Sequence, residues 1–269
     1  MKKIILSAAI FAAFASSASA QQAAPAAPAS PHTFTGNLTV ASDYRFRGMT
    51  QTFRQPTVQG GFDYAHSSGF YIGNWNSNVS GNSFLNGGGL EMDVYGGYKF
   101  AIGPDVTADV GLLQYYYPGA KIGTTGEKYN NTEFYVGASY KWFSAKYSLG
   151  LTDYFGLNAN TAAVYAGTAL TPNGNSKRSG YVDLNANFEV AEKTTLGFHV
   201  GRQTVKNYGA LNYTDYKISL ARDFGFATVG LAVVSTNGDK NFWKVSNTSG
   251  TETKQMGTST AVLSVSKTF

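Results

Sequence analysis

The sequence predicts an all-β chain closed into a transmembrane, antiparallel up-and-down β-barrel of about twelve strands, and three observations support this. Apolar and polar residues alternate with a period of two over unusually long stretches. These stretches recur to the last residue, joined by connections that are alternately long and short. Charged residues fall almost entirely on one parity of the alternation.

The first segment shows the pattern most clearly. From Phe34 every second residue is Phe34, Gly36, Leu38, Val40, Ser42, Tyr44 and Phe46, and between them lie Thr35, Asn37, Thr39, Ala41, Asp43, Arg45 and Arg47. Strands in soluble proteins run about 5 to 6 residues, so an alternation of this length suits a strand that crosses a membrane. One face would meet lipid and the other would line a lumen. The run DYRFRGMTQT from Asp43 to Thr52, with QPTVQGGFDYAHSSGFYIGNW from Gln55 to Trp75, resembles the N-terminal signature of the TorF family of bacterial outer-membrane proteins, also catalogued as Gcw_chp. The resemblance implies an exported barrel of roughly this length with a presumed pore role. It implies no substrate and no functional residues.

Composition agrees with the fold class. The chain has 269 residues and no cysteine, with 43% hydrophobic, 14% aromatic and 14% charged residues. Mean hydropathy is −0.19, as expected where two faces cancel. Beyond the first 20 residues nothing offers the roughly 18 consecutive apolar residues a membrane helix needs. A disulfide scaffold is excluded. The 31 glycines suit crowded strand crossings, and the 18 tyrosines and 18 phenylalanines suit girdles at the two membrane interfaces. The net charge of +5 falls to +3 when Lys2 and Lys3 are removed with an export segment, and no basic stripe points to nucleic acid.

Met1–Ala20 reads as a secretory signal, with Lys2 and Lys3, an apolar core from Ile4 to Phe14, and Ala18-Ser19-Ala20 before the expected cleavage. Residues 21–33 form an Ala- and Pro-rich leader expected to be disordered, because proline lacks the amide donor a ladder needs. The barrel, 34–269, divides into strands near Phe34–Phe46, Thr57–Ala65, Phe70–Val79, Leu90–Phe100, Val106–Tyr117, Thr132–Trp142, Ala145–Phe155, Gly180–Val190, Thr195–Gln203, Tyr213–Arg222, Ala227–Thr236 and Thr258–Phe269. Short turns such as His66–Gly69 and Phe143–Ser144 alternate with long connections such as Arg47–Pro56 and Gly156–Ser179. A barrel with periplasmic turns and extracellular loops produces this alternation, and an even strand number puts both ends in the periplasm. The closing Phe269, after alternating apolar residues, looks like the signal by which the barrel-assembly machinery recognises its clients.

Charge tests the facing. The lumen parity holds Asp43, Arg45, Arg47, Asp63, Glu91, Asp93, Lys99, Asp109, Glu133, Lys141, Lys146, Asp183, Glu189, Asp215 and Lys217, together with His199. The lipid parity holds only Asp153, Arg202, Arg222 and Lys267, all near strand ends. There a charge costs about 0 to 1 kcal/mol, against roughly 2 to 4 for a basic residue at the midplane. Nine acids against six bases on the lumen parity hint at a weak cation preference.

Enzymatic motifs are absent. His199-Val200-Gly201 lacks the serine that outer-membrane phospholipases carry two residues from their histidine, and no nucleophile elbow, phosphate loop or zinc spacing occurs. Glu91 and Asp93 share a face, a pairing that can hold a proton or a cation, but salt bridges to neighbours such as Lys99 explain it more simply. The expectation is a barrel without catalytic, cofactor or metal sites. It would pass small polar solutes or ions and meet outer-membrane lipids. Twelve strands lie between the roughly eight that side chains fill and the sixteen that leave a wide channel. The alternative is therefore a closed barrel acting through its loops, plugged by Gly156–Ser179 and the apolar Ala162–Ala169.

Overall fold

The computed structural model describes residues 30–83, 88–167, 170–247 and 249–269. The expected signal segment, and the leader as far as residue 29, lie outside the described residues. Sixteen strands occur among them: β1 (His32–Ala41), β2 (Arg45–Phe46), β3 (Met49–Thr50), β4 (Thr57–His66), β5 (Phe70–Asn78), β6 (Leu90–Ile102), β7 (Val106–Tyr116), β8 (Asn131–Tyr140), β9 (Phe143–Gly150), β10 (Gly180–Ala191), β11 (Thr194–Thr204), β12 (Tyr213–Asp223), β13 (Thr228–Thr236), β14 (Lys244–Ser246), β15 (Thr253–Gln255) and β16 (Thr260–Thr268). Twelve of these form a closed antiparallel barrel in the order β1-β4-β5-β6-β7-β8-β9-β10-β11-β12-β13-β16, and β16 returns to β1. The β2-β3 and β14-β15 ribbons stand apart from the wall.

Closure uses both ends of the chain. β1 pairs with β4 along its whole length and with β16 through Leu38↔Lys267 and Val40↔Val265. Beyond β16, Phe269 exchanges two backbone hydrogen bonds with Gly36, at 2.7 and 2.9 Å. The last residue thus finishes the seam. His32, expected in the leader, is already part of β1 and bonds the Tyr64 hydroxyl at 2.9 Å.

The expected facing is present along the wall. In β13, Leu231 is 53% exposed and its neighbour Ala232 only 3%. Val40, Val58, Phe62, Val94, Leu184 and Ile218 lie exposed on the outside. At the short-turn end Phe34, Phe100, Trp142, Phe226 and Phe269 make an exposed aromatic belt of the kind that sits at a membrane interface.

Three expectations need correction. The first strand ends at Ala41, not Phe46, and Asp43, Tyr44, Arg45, Phe46 and Arg47 leave the wall. The seventh ends at Gly150, so Tyr154 and Phe155 also leave it, and Asp153 accepts a bond from Ser176 N at 2.9 Å instead of meeting lipid. Lys141 lies in the two-residue turn between β8 and β9 at φ +50°, exposed, with its ammonium over the Tyr140 ring at 5.0 Å. A turn that tight swings the side chain out of the lumen and onto the aromatic belt.

Candidate functional site

The residues that leave the wall fold inward and fill the long-loop end of the barrel. After β1 the chain turns into the lumen as the β2-β3 hairpin, closed by Arg47 and Gly48 at φ +46° and +81°. Two left-handed residues make the turn whose twist suits a two-residue hairpin. Glycine takes this conformation freely; for Arg47 it costs about 1 to 2 kcal/mol. Gly48 is also a close approach, because a Cβ there would fall 2.5 Å from Thr236 Cγ2 and 2.7 Å from Asp215 Cβ.

Asp43 and Arg45 hold the base of the hairpin. Asp43 accepts from the Thr50 and Thr52 hydroxyls at 2.6 and 2.9 Å and from Arg45 Nε at 2.6 Å. Arg45 then donates to the carbonyls of Gly48, Met256 and Thr258 and to Thr260 Oγ1. Arg54 adds bonds to Gln255 O and Thr258 Oγ1 at 2.6 and 2.7 Å. The hairpin is thereby stapled to the end of the last loop, from Gln255 to Thr258, and to the first residue of β16. Burial pushes the Arg45 guanidinium below its usual value, with Asp43 opposing.

Arg47 forms the tip. It donates to Glu133 Oε2 of β8 at 2.7 Å, to Gln203 Oε1 of β11 at 2.8 Å, and to the Tyr115 hydroxyl of β7. Its guanidinium lies over the Tyr181 ring of β10 at 4.1 Å and over Phe46 at 4.8 Å. In the strand order β9 is diametrically opposite β1, and these partners straddle it. The hairpin therefore crosses the whole lumen. Burial alone would lower the Arg47 pKa; Glu133 and the surrounding phenols outweigh it and hold the group above the ordinary arginine value. Tyr44, pushed up by burial and by Glu91, keeps its proton and donates to Glu91 Oε1 at 3.1 Å.

Apolar rings pack above the hairpin. Phe155, at φ +44°, sets its ring 5.6 Å from Phe46 and 5.3 Å from Tyr115, and Tyr117, Ile122, Leu157, Ala162, Tyr165 and Leu170 complete the cluster. Met49, Phe53, Tyr213, Val245 and Met256 form a second one. The expected contribution of Gly156–Ser179 to closure is therefore present, as a lid above the first-loop hairpin; residues 168 and 169 of the apolar run lie outside the described residues. The polar layer under the lid is imperfectly matched. Arg47 Nε and Asp93 Oδ1 are buried and make no hydrogen bond among the described residues.

Below this layer the remaining predicted residues face one another across the lumen. Tyr95 donates to Asp63 and Tyr71 to Asp109, both at 2.6 Å, and Tyr71 also bonds the Tyr135 hydroxyl. Lys99 lies over the Tyr71 ring at 4.9 Å and Lys146 over Tyr135 at 5.6 Å. On the far wall His199 bridges Asp215, 2.8 Å from Nε2, and Asp183, 3.2 Å from Nδ1, with Lys217 its cross-strand neighbour. Toward the short-turn end the inward residues are small and polar, among them Ser139, Ser144, Asn187 and Thr195. Glu91 and Asp93 belong to the closed layer and have no salt bridge to Lys99. Alternation alone concealed the hairpin; the Arg47-Gly48 turn signal and the threonines two and four residues beyond Gly48 are what would have disclosed it.

Comparison with known proteins supports this picture of the fold. A family model described as "Bacterial protein of unknown function (Gcw_chp)" matches residues 25–269. No curated protein matches the chain. Among solved structures, the KdgM porin superposes with a TM-score of 0.50 at 9% identity, over 87% of this chain and 99% of that one. The NanC porin gives 0.48 at 11% identity, over 85% and 97%. At such identities the likeness extends to the barrel fold.

Proposed function

From the premise that this chain belongs to the Gcw_chp family and folds as a porin-like barrel, we propose that it is an outer-membrane channel for small polar solutes or ions whose extracellular mouth is stoppered by its own first loop. The observation that carries this reading is the nature of the closure. The wall is a complete barrel, and what fills its mouth is the first-loop hairpin with the lid above it, held by hydrogen bonds, two ion pairs and ring packing rather than by the ladder. Because the hairpin is not part of the barrel ladder, such a plug opens without breaking the backbone pairing of the wall. Arg47, Phe53 and Arg54 in the first loop and Phe155 in the lid hold left-handed backbone, strain of the kind a movable element stores.

Beneath the plug, Asp63, Asp109, Asp183 and Asp215 face Lys99, Lys146 and Lys217. Neither sign dominates, and the field across the lumen would orient dipolar solutes rather than select one charge. Pairing of Asp43 with Arg45 and of Arg47 with Glu133 takes two charges of each sign out of the open lumen and leaves the difference between acids and bases as it was. The same plug also favours a second reading, a permanently closed barrel acting through its loops.

Planar-bilayer recording separates the two. The channel reading expects brief, discrete openings from the intact protein and sustained conductance when residues 45–50 are replaced by a short glycine linker. A folded barrel that stays silent in both forms would establish the closed reading.

A further inference from the structure

We propose that the outer face of β5 is the contact surface of a two-fold dimer with a second copy of this chain. The outward residues of β5 are Phe70, Ile72, Asn74, Asn76 and Asn78. Asn74 is the fifth of nine residues, and its cross-strand neighbours Phe62 and Val94 are exposed apolar residues, so its carboxamide lies in the middle of the apolar band. Asn76 follows beside Gly60 and Met92. On the two strands beside it the paired places hold Phe62 and Val94, and the next place in that row, on β7, is Gln114. Gln114 of β7 is the other outward carboxamide nearby, but it lies toward the strand end and its amide is fully used, on Tyr115 O, Asn131 O and the Thr132 hydroxyl.

The asparagines are only half satisfied. Asn74 Oδ1 accepts from Phe62 N and Asn76 Nδ2 donates to Gly60 O, each at 3.3 Å. Asn74 Nδ2 and Asn76 Oδ1 make no hydrogen bond among the described residues. Acyl chains offer neither donor nor acceptor, and each polar group left unmatched in hydrocarbon costs several kcal/mol. A protein surface with its own amides removes that cost.

The chemistry selects the occupant. Two copies inserted with the same sidedness are related by an axis along the membrane normal, so in a two-fold pair each residue meets itself at its own depth. A carboxamide carries both donor and acceptor and is complementary to itself, whereas a charged side chain would repel its copy. Higher rotational symmetry would set β5 against a different face, and no other face carries amides at this depth. Gly60, beside Asn76, has no side chain to hold the partner away.

The cysteine-free chain makes the test clean. With a lipid-soluble oxidant in native membranes, Asn74→Cys should yield a disulfide-linked dimer roughly tenfold more abundantly than Val200→Cys, on the opposite wall. In detergent, the Asn74→Leu/Asn76→Leu variant should dissociate roughly tenfold more readily, the scale of one or two lost membrane hydrogen bonds, while its barrel still resists denaturation by detergent before heating. Equal cross-linking at positions 74 and 200, or a folded double variant that associates as tightly as the parent, would overturn the proposal.

Discussion

Replacing Arg47 by alanine is expected to raise the open fraction of the channel by roughly a hundredfold. The guanidinium is buried and bonded to Glu133 and Gln203 on the wall opposite the hairpin's root. Breaking a buried pair by removing one partner costs about 3 to 5 kcal/mol, because the other charge is left without compensation. In the closed state Glu133 would bear that cost; in the open state water solvates it. Each 1.4 kcal/mol is a factor of about ten, so even the lower figure shifts the open-closed equilibrium by about two orders of magnitude. The backbone strain at φ +46° is common to parent and variant and cancels in the comparison. Single-channel recording checks the expectation as open probability. Arg47→Lys should fall between alanine and the parent, since an ammonium retains charge but not the two-pronged reach to Glu133 and Gln203.

The second large effect concerns the wall. Ile218→Arg should destabilise the folded barrel by about 2 to 4 kcal/mol, whereas Lys217→Arg, one residue away, should change stability by less than about 0.5 kcal/mol. Ile218 is the sixth of eleven residues in β12 and points outward, 47% exposed, while Lys217 faces the lumen beside His199. Reversible unfolding in lipid vesicles, followed by tryptophan fluorescence, measures both. A soluble sandwich would show no such contrast, because an exposed isoleucine tolerates arginine there.

The wall was legible in the sequence because a period of two has one physical meaning when both faces are specified. Thr57–Ala65 was expected and Thr57–His66 is observed; Gly180–Val190 was expected and Gly180–Ala191 is observed. The plug was illegible for the same reason. Asp43, Arg45 and Arg47 continue the parity of Thr39 and Ala41, so the alternation runs on through a point where the chain turns off the wall and presents the same residues to a different environment. Tyrosine adds to the difficulty. Counted with phenylalanine it suggests interfacial girdles, yet Tyr71, Tyr95, Tyr115 and Tyr181 point inward with their hydroxyls on carboxylates, Tyr135 points inward with its hydroxyl on that of Tyr71, and their rings fill space. Partners such as Arg47 and Glu133, 86 residues apart, meet only once the barrel has closed.

The gating claim is tested most directly by tying the hairpin to the wall. A Cβ at position 48 would fall 2.5 Å from Thr236 Cγ2 and 2.7 Å from Asp215 Cβ, so Gly48→Cys with Thr236→Cys brings two thiols together in a chain that has no others once the turn shifts by a few tenths of an ångström to admit the new side chain. Conductance recorded from one preparation before and after reduction should pass from silence to discrete openings. Equal conductance in the oxidised and reduced states, with the disulfide verified by mass, would mean that solutes pass without moving the hairpin and would contradict the account.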